Sequence, residues 1–126
     1  MRLASMHTSL TIVLLSDTTT HENLGRALHA LLYAKQAREK GMDVELIFDG
    51  GGVEWAVEMA KKDHKLNGLY EELRASGVVK GVCGFCSAAF SVKDALLEAG
   101  DVFLEEDNGH PNIGARIAEG RTIITL

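Results

Sequence analysis

The chain has 126 residues, 46% of them apolar and 25% charged, with a single proline. That length suits one domain with its own core, and the ordinary apolar content excludes a mainly disordered chain. The 13 basic residues stand against 18 acidic ones, so the net charge of −5 offers no bulk attraction to nucleic acid or an anionic membrane.

Residues 1–9 have mixed polarity and read as a flexible tail ahead of a domain over residues 10–126. The first apolar run, Leu10–Leu15, is too short for a membrane span or a signal-peptide core. A cytoplasmic, reducing setting follows as the expectation. Two cysteines placed at Cys83 and Cys86 cannot frame a disulfide scaffold, and in a reducing compartment such a pair points to chemistry or metal.

Leu10–Leu15 is rich in β-branched residues and predicts a strand covered on both faces. Turn-forming residues follow, and Thr19-x-x-Glu22 matches a capping box. Leu24, Leu28, Leu31 and Leu32 then repeat at helical spacing, so a helix is predicted from about Glu22 to Lys40, stopped by Gly41. Val44–Phe48 is a second strand, followed by Asp49-Gly50-Gly51-Gly52. Val53–Lys62 and Leu66–Ala75 read as two helices or one broken helix.

Val78–Val82 is a third strand that runs into Cys83-Gly84-Phe85-Cys86. Helix resumes at Ser87, with Ser91-x-x-Asp94 as a cap for a stretch through Ala99. Val102–Leu104 is a short fourth strand and Glu105–His110 an acidic surface loop. Pro111 suits the first turn of a short helix whose apolar contacts are Ile113 and Ile117, and Thr122–Leu126 is a fifth strand. This alternation predicts a single-domain, three-layer α/β/α fold around a mainly parallel five-stranded sheet.

Ligands of such sheets sit beyond the carboxyl ends of the strands. That rule selects Ser16–His21, Asp49–Gly52 and Cys83–Ser87. Cys83 joins a strand to a helix start, where unpaired backbone N–H groups favour a thiolate and lower its pKa. Gly84 leaves room for close approach, and Cys86 lies about one helical turn on. A catalytic thiol pair competes with two small buried residues as the reading. A structural zinc site normally needs four ligands; there is no further cysteine, and histidines 7, 21, 29, 64 and 110 show no paired spacing. No metal or cofactor is therefore expected.

Asp49, Gly50 and Gly51 could cradle a phosphate, although the run lacks the spacing of a dinucleotide fingerprint and the lysine of a P-loop. A tight turn is the simpler account. Trp55 and Met59 suit a core or a subunit contact. Thr18, Thr19 and His21 end the first strand's loop and are pocket candidates, with His21 as a base near the thiolate.

The run Val79–Cys86 (VKGVCGFC), with Ile12–Leu15, the long first helix and Asp49-Gly50-Gly51, resembles the DsrE/DsrF-like sulfur-relay family over residues 10–126. The resemblance implies a small α/β protein forming homotrimers or hexamers. It implies that Cys83 carries persulfide sulfur between donor and acceptor proteins, with Cys86 as a resolving or protecting thiol. Many members follow this cysteine with an arginine-containing segment, whereas Ser87–Ser91 here offers no base. A thiol–disulfide redox protein and a non-catalytic oligomeric binding module are the alternatives.

Overall fold

Residues 8–126 are described by the computed structural model; the remainder of the tail, residues 1–7, lies outside the described residues. Strand β1 (Ser9–Leu14) opens one residue before the predicted run and leads into helix α1 (His21–Glu39). Strand β2 (Asp43–Phe48) is followed by a 3₁₀ turn at Gly50–Gly52, helix α2 (Val53–Glu58) and helix α3 (Asn67–Ser76). Strand β3 (Val79–Cys83) passes directly into α4 (Gly84–Ala89), then α5 (Lys93–Glu98) and the two-residue strand β4 (Phe103–Leu104). Helix α6 (Ile113–Ala118) returns the chain to strand β5 (Thr122–Thr125). All five strands are parallel, in the order β4-β3-β2-β1-β5.

The strand order explains the layers. From β1 to β4 each crossover advances the same way across the sheet, so right-handed connections put α1 to α5 on one face. The last crossover goes back past β1, which sends α6 to the opposite face. Side-chain alternation agrees: Ile12, Leu14, Leu46 and Phe48 pack with Leu31, Val53, Trp55, Met59, Tyr70, Leu73 and Leu96 in one core. Trp55 and Met59 are thus core residues.

The far face is polar at one end. Thr11 and Glu45, one step out of phase with the core residues, meet Arg116 of α6 and Arg121. Arg116 Nε donates to Glu45 Oε2 at 2.6 Å, and Arg121 Nε donates to Thr11 Oγ at 2.8 Å. Arg116 also pairs with Glu106 at 2.7 Å, tying the loop after β4 to the middle of the sheet. Guanidinium geometry allows these contacts at once because its donors form a rigid planar fork.

Several local expectations need correction. Thr20, not Thr19, caps α1, accepting the Asn23 N–H; Thr19 bonds Asp17 instead. The face of α1 against the sheet is mainly Ala27, Ala30, Leu31, Ala34 and Ala37, because small side chains let the helix approach closely, while Leu24 and Leu28 pack at its rim. Helix α2 ends at Glu58, four residues short of the predicted limit at Lys62, so the segment to α3 is two helices. Ser91 adopts φ 60 in the break between α4 and α5 and gives α5 no side-chain cap. In α6, Asn112 is the N-cap and Pro111 precedes it; Ile117 is 59% exposed, and the buried residue is Arg116. Among the described residues no helix is long and apolar enough to cross a membrane.

Removing Arg116 leaves Glu45 without its closest cation in a largely desolvated position. Arg116→Met is expected to lower unfolding free energy by about 3 kcal/mol, measured by urea denaturation. Tyr70 presents the opposite case: its buried hydroxyl has no hydrogen-bond partner among the described residues. Tyr70→Phe is expected to leave the urea midpoint unchanged or raise it, since it removes an unmet desolvation cost of about 1–3 kcal/mol.

Candidate functional site

The parallel register brings three strand ends to one edge. Phe48 pairs with Val82, Val82 with Phe103 and Cys83 with Leu104, so the segments that follow β2, β3 and β4 start side by side. Asp49 leaves the first, Cys83 ends the second, and the loop from Glu105 leaves the third.

Asp49 is fixed by its own turn. Its Oδ1 accepts the Gly50 N–H at 2.8 Å, and its backbone N–H donates to Leu14 O at 3.0 Å. The turn lies hard against β1: a Cβ on Gly52 would overlap the Leu14 carbonyl. This is why the third glycine of the run matters, and it gives Asp49-Gly50-Gly51 a structural role in placing the carboxylate.

Cys83 is the N-cap of α4, its Sγ accepting the Cys86 N–H at 3.4 Å. The Ser87 hydroxyl donates to Cys83 O at 2.7 Å and holds the start of the helix. Both thiols are free; Cys83 is buried and Cys86 half-buried. Cys86 Sγ lies 3.6 Å from Asp49 Oδ1, as a thiol donor to the carboxylate.

The fourth member arrives from a loop expected to lie at the surface. Asp107 and His110 form a two-residue antiparallel bridge, exchanging N–H···O bonds of 2.9 Å in both directions. Asn108 (φ 51) and Gly109 (φ 88) occupy the tip, both left-handed, as a tight hairpin turn of the primed type requires. Gly109 O accepts the Phe85 N–H at 2.9 Å, and the Phe85 ring lies 4.7 Å from the His110 ring. The result is His110 Nδ1 3.3 Å from Cys83 Sγ. Sequence spacing hides this contact because 27 positions separate the two residues. The Asn108-Gly109 dipeptide was the available signal for a turn there.

The remaining candidates are placed elsewhere. Thr18 bonds Glu54 through its N–H and hydroxyl, and Thr19 bonds Asp17, so both organise the loop after β1. His21 is exposed and lines a shallow hollow with Gly25, Arg26, His29, Tyr33 and Leu126. The imidazole at the thiol is that of His110. Gly84 does sit at the site, with its Cα so near Glu105 that a Cβ would fall 2.5 Å from the carboxylate oxygen.

The electrostatics differ from the expectation of a low thiol pKa. Burial pushes the Cys83 thiol up from 9.0 to about 12, and the neighbouring Asp49 charge acts in the same direction. The Cys86 N–H pulls the other way but is outweighed, because α4 is short and the sulfur has lost its water. At rest Cys83 is therefore a protonated thiol with an imidazole nitrogen beside it.

An edge of parallel strands carrying one buried and one half-buried thiol defines the class: an α/β protein whose candidate site lies where such sheets hold their ligands. The chain belongs to the DsrE/DsrF-like family, whose model matches residues 10–126. It is 32% identical over 105 residues to an uncharacterized protein of Methanocaldococcus jannaschii, covering 82% of this chain and 83% of that one. Its fold is similar to that of a conserved protein of unknown function from Bacteroides thetaiotaomicron, with a TM-score of 0.67 at 18% identity, over 99% of this chain and 100% of the other.

Alkylation mapping checks the thiol environment. Iodoacetamide is expected to modify Cys86 before Cys83 at neutral pH. Modification of Cys83 should then rise about tenfold per pH unit, with no plateau before the pH nears its raised pKa. The raised value also fixes a sign: the folded chain holds a proton that the unfolded chain releases above 9.0, so this contribution to stability is lost as pH climbs from 9.0 through about 12.

Proposed function

We propose that the protein is a cytoplasmic sulfur-relay protein in which Cys83 accepts a sulfane sulfur from a donor persulfide and passes it to an acceptor thiol. The observation that supports this reading best is the imidazole nitrogen of His110 at 3.3 Å from the buried Cys83 sulfur. Family membership supports the sulfur chemistry in general terms.

In the first step His110 Nδ1 takes the Cys83 proton as the sulfur attacks the outer sulfur of the donor, R–S–SH. The donor S–S bond breaks and R–S⁻ leaves with its electron pair. Cys83 then carries –S–SH, and the proton on His110 is available to the leaving thiolate. This route explains how a thiol with a high resting pKa can react at neutral pH: the proton moves only as the new bond forms. The Cys86 N–H at 3.4 Å stabilises negative charge on the attacking sulfur.

Release follows the same logic. An acceptor thiolate attacks the outer sulfur and regenerates Cys83. Alternatively Cys86 attacks Cys83 Sγ, expels HS⁻ and leaves a Cys83–Cys86 disulfide, which a reductant must reopen. Exchange with proteins needs a docking surface, and the exposed side chains of Phe85 (57%) and Phe90 (39%) flank the thiols on α4 and just past its end. Homotrimeric or hexameric assembly belongs to the same proposal.

Intact mass after incubation with a small-molecule persulfide, in the presence of a chelator, tests it. The expected product is a gain of one sulfur per chain, absent in Cys83→Ser and retained in Cys86→Ser. His110→Gln should slow the gain by about a hundredfold, the scale of a lost general base. If sulfur is still gained by Cys83→Ser, the assignment of Cys83 is wrong. Loss of two hydrogens without sulfur gain would support a dithiol–disulfide redox protein, a reading favoured by the closeness of the two sulfurs.

A further inference from the structure

Asp49, Cys83, Cys86 and His110 each offer one ligand atom, and the four atoms all lie within 4.8 Å of one another. They come from four separate places in the chain: the β2 turn, the end of β3, the first turn of α4 and the hairpin after β4. We propose that these four residues form a binding site for zinc(II), a use of the thiol pair distinct from sulfur acceptance.

The donor set suits that ion. Zinc(II) is a borderline ion that binds thiolate, imidazole and carboxylate alike, and these four donors are the number a tetrahedral site requires. Zinc bonds of about 2.0–2.3 Å in a tetrahedron set neighbouring donors about 3.3–3.8 Å apart. Two of the six donor pairs already have that spacing: Cys83 Sγ to His110 Nδ1 at 3.3 Å and Cys86 Sγ to Asp49 Oδ1 at 3.6 Å. Only small side-chain movements separate the remaining distances, all within 4.8 Å, from a closed shell.

The surrounding groups hold the ligands in place. Asp49 accepts the Gly50 N–H with the same Oδ1 that faces Cys86, Cys83 accepts the Cys86 N–H, and the His110 ring packs beside Phe85. Such supporting contacts orient metal ligands and limit the side-chain entropy lost on binding. The hairpin is anchored in turn, because Glu106 accepts the Asn112 N–H at 2.7 Å and pairs with Arg116.

Binding exchanges protons for the ion. Both thiol protons leave, and in the complex Asp49 binds as a carboxylate and His110 through an unprotonated ring nitrogen. One Zn²⁺ with two thiolates and one carboxylate leaves a net charge of −1 on the cluster, with two protons released. No electron is transferred. Zinc and a sulfane sulfur both need the Cys83 sulfur, so occupancy by one excludes the other.

Cobalt(II), a spectroscopic substitute for zinc, makes the test direct. The full chain, reduced and freed of metal, is titrated with cobalt(II) in the absence of any sulfur donor, then with zinc(II). The expected result is one ion per chain, thiolate-to-cobalt charge-transfer absorption in the near ultraviolet, tetrahedral d–d bands, and displacement of both by zinc. His110→Ala and Asp49→Ala should each weaken binding by more than about a hundredfold, the upper range for loss of a mere supporting partner. Circular dichroism of each variant without metal confirms that it is folded. Absence of the charge-transfer band in the unmodified chain would overturn the proposal. So would unchanged affinity in both folded variants. Because sulfur acceptance is assayed separately under chelation, failure of either reading leaves the other standing.

Discussion

Parallel pairing of β2, β3 and β4 is the constraint on which the site depends. Parallel strands end at the same edge, so residues far apart in the chain begin their loops side by side. Asp49, Cys83 and the hairpin bearing His110 converge there without any of them being close in sequence. A one-residue slip of β3 against β2 would turn the Cys83 side chain to the other face of the sheet and separate it from Asp49. The packing of Val82 with Phe48 and Leu46 in the helix-covered core opposes that slip, since it would turn Val82 out of this core.

The far face of the sheet supplies the second half of the arrangement. A loop such as Glu105–Asn112 would ordinarily be a mobile surface segment. Here Glu106 is held by Arg116, and Arg116 is held by Glu45 within the sheet. Guanidinium pairing also keeps the Glu106 carboxyl below its usual range, so the tether is in its charged form at neutral pH. A single six-residue helix on that face is enough because its inward residue is a branched donor and not a small hydrophobe. The position of His110 thus rests on a chain of contacts from sheet to helix to loop.

The same burial that makes the site well ordered also sets its chemistry. A thiol at a helix start should ionise readily in water, yet Cys83 has lost its water and faces a carboxylate. Ionisation then requires either a proton acceptor at contact distance or a cation in place of the proton. His110 can serve as the acceptor, and a tetrahedral ion can replace the protons of both thiols. The proposed sulfur relay and the proposed zinc site both need this one sulfur, so the two uses would exclude each other.

Much of the architecture was legible from residue patterns. The β-branched runs and the alternating helical stretches marked five strands and a mainly parallel sheet, and the strand-to-helix step at Cys83-Gly84 stood out because both structural types meet there. Cap positions were less legible: Thr19 and Thr20 are chemically equivalent, and only the turn made by Asp17 decides which of them meets Asn23. The inward face of α1 was legible only in part: the leucine repeat includes the buried Leu31, but its spacing cannot reveal how closely alanines let a helix approach a sheet. Local sequence by itself determined the strands and the placing of the two cysteines at a strand-to-helix step. Tertiary structure alone decided that Asp49 and His110 complete it, because long-range convergence comes from strand order and loop anchoring, to which spacing along the chain is blind.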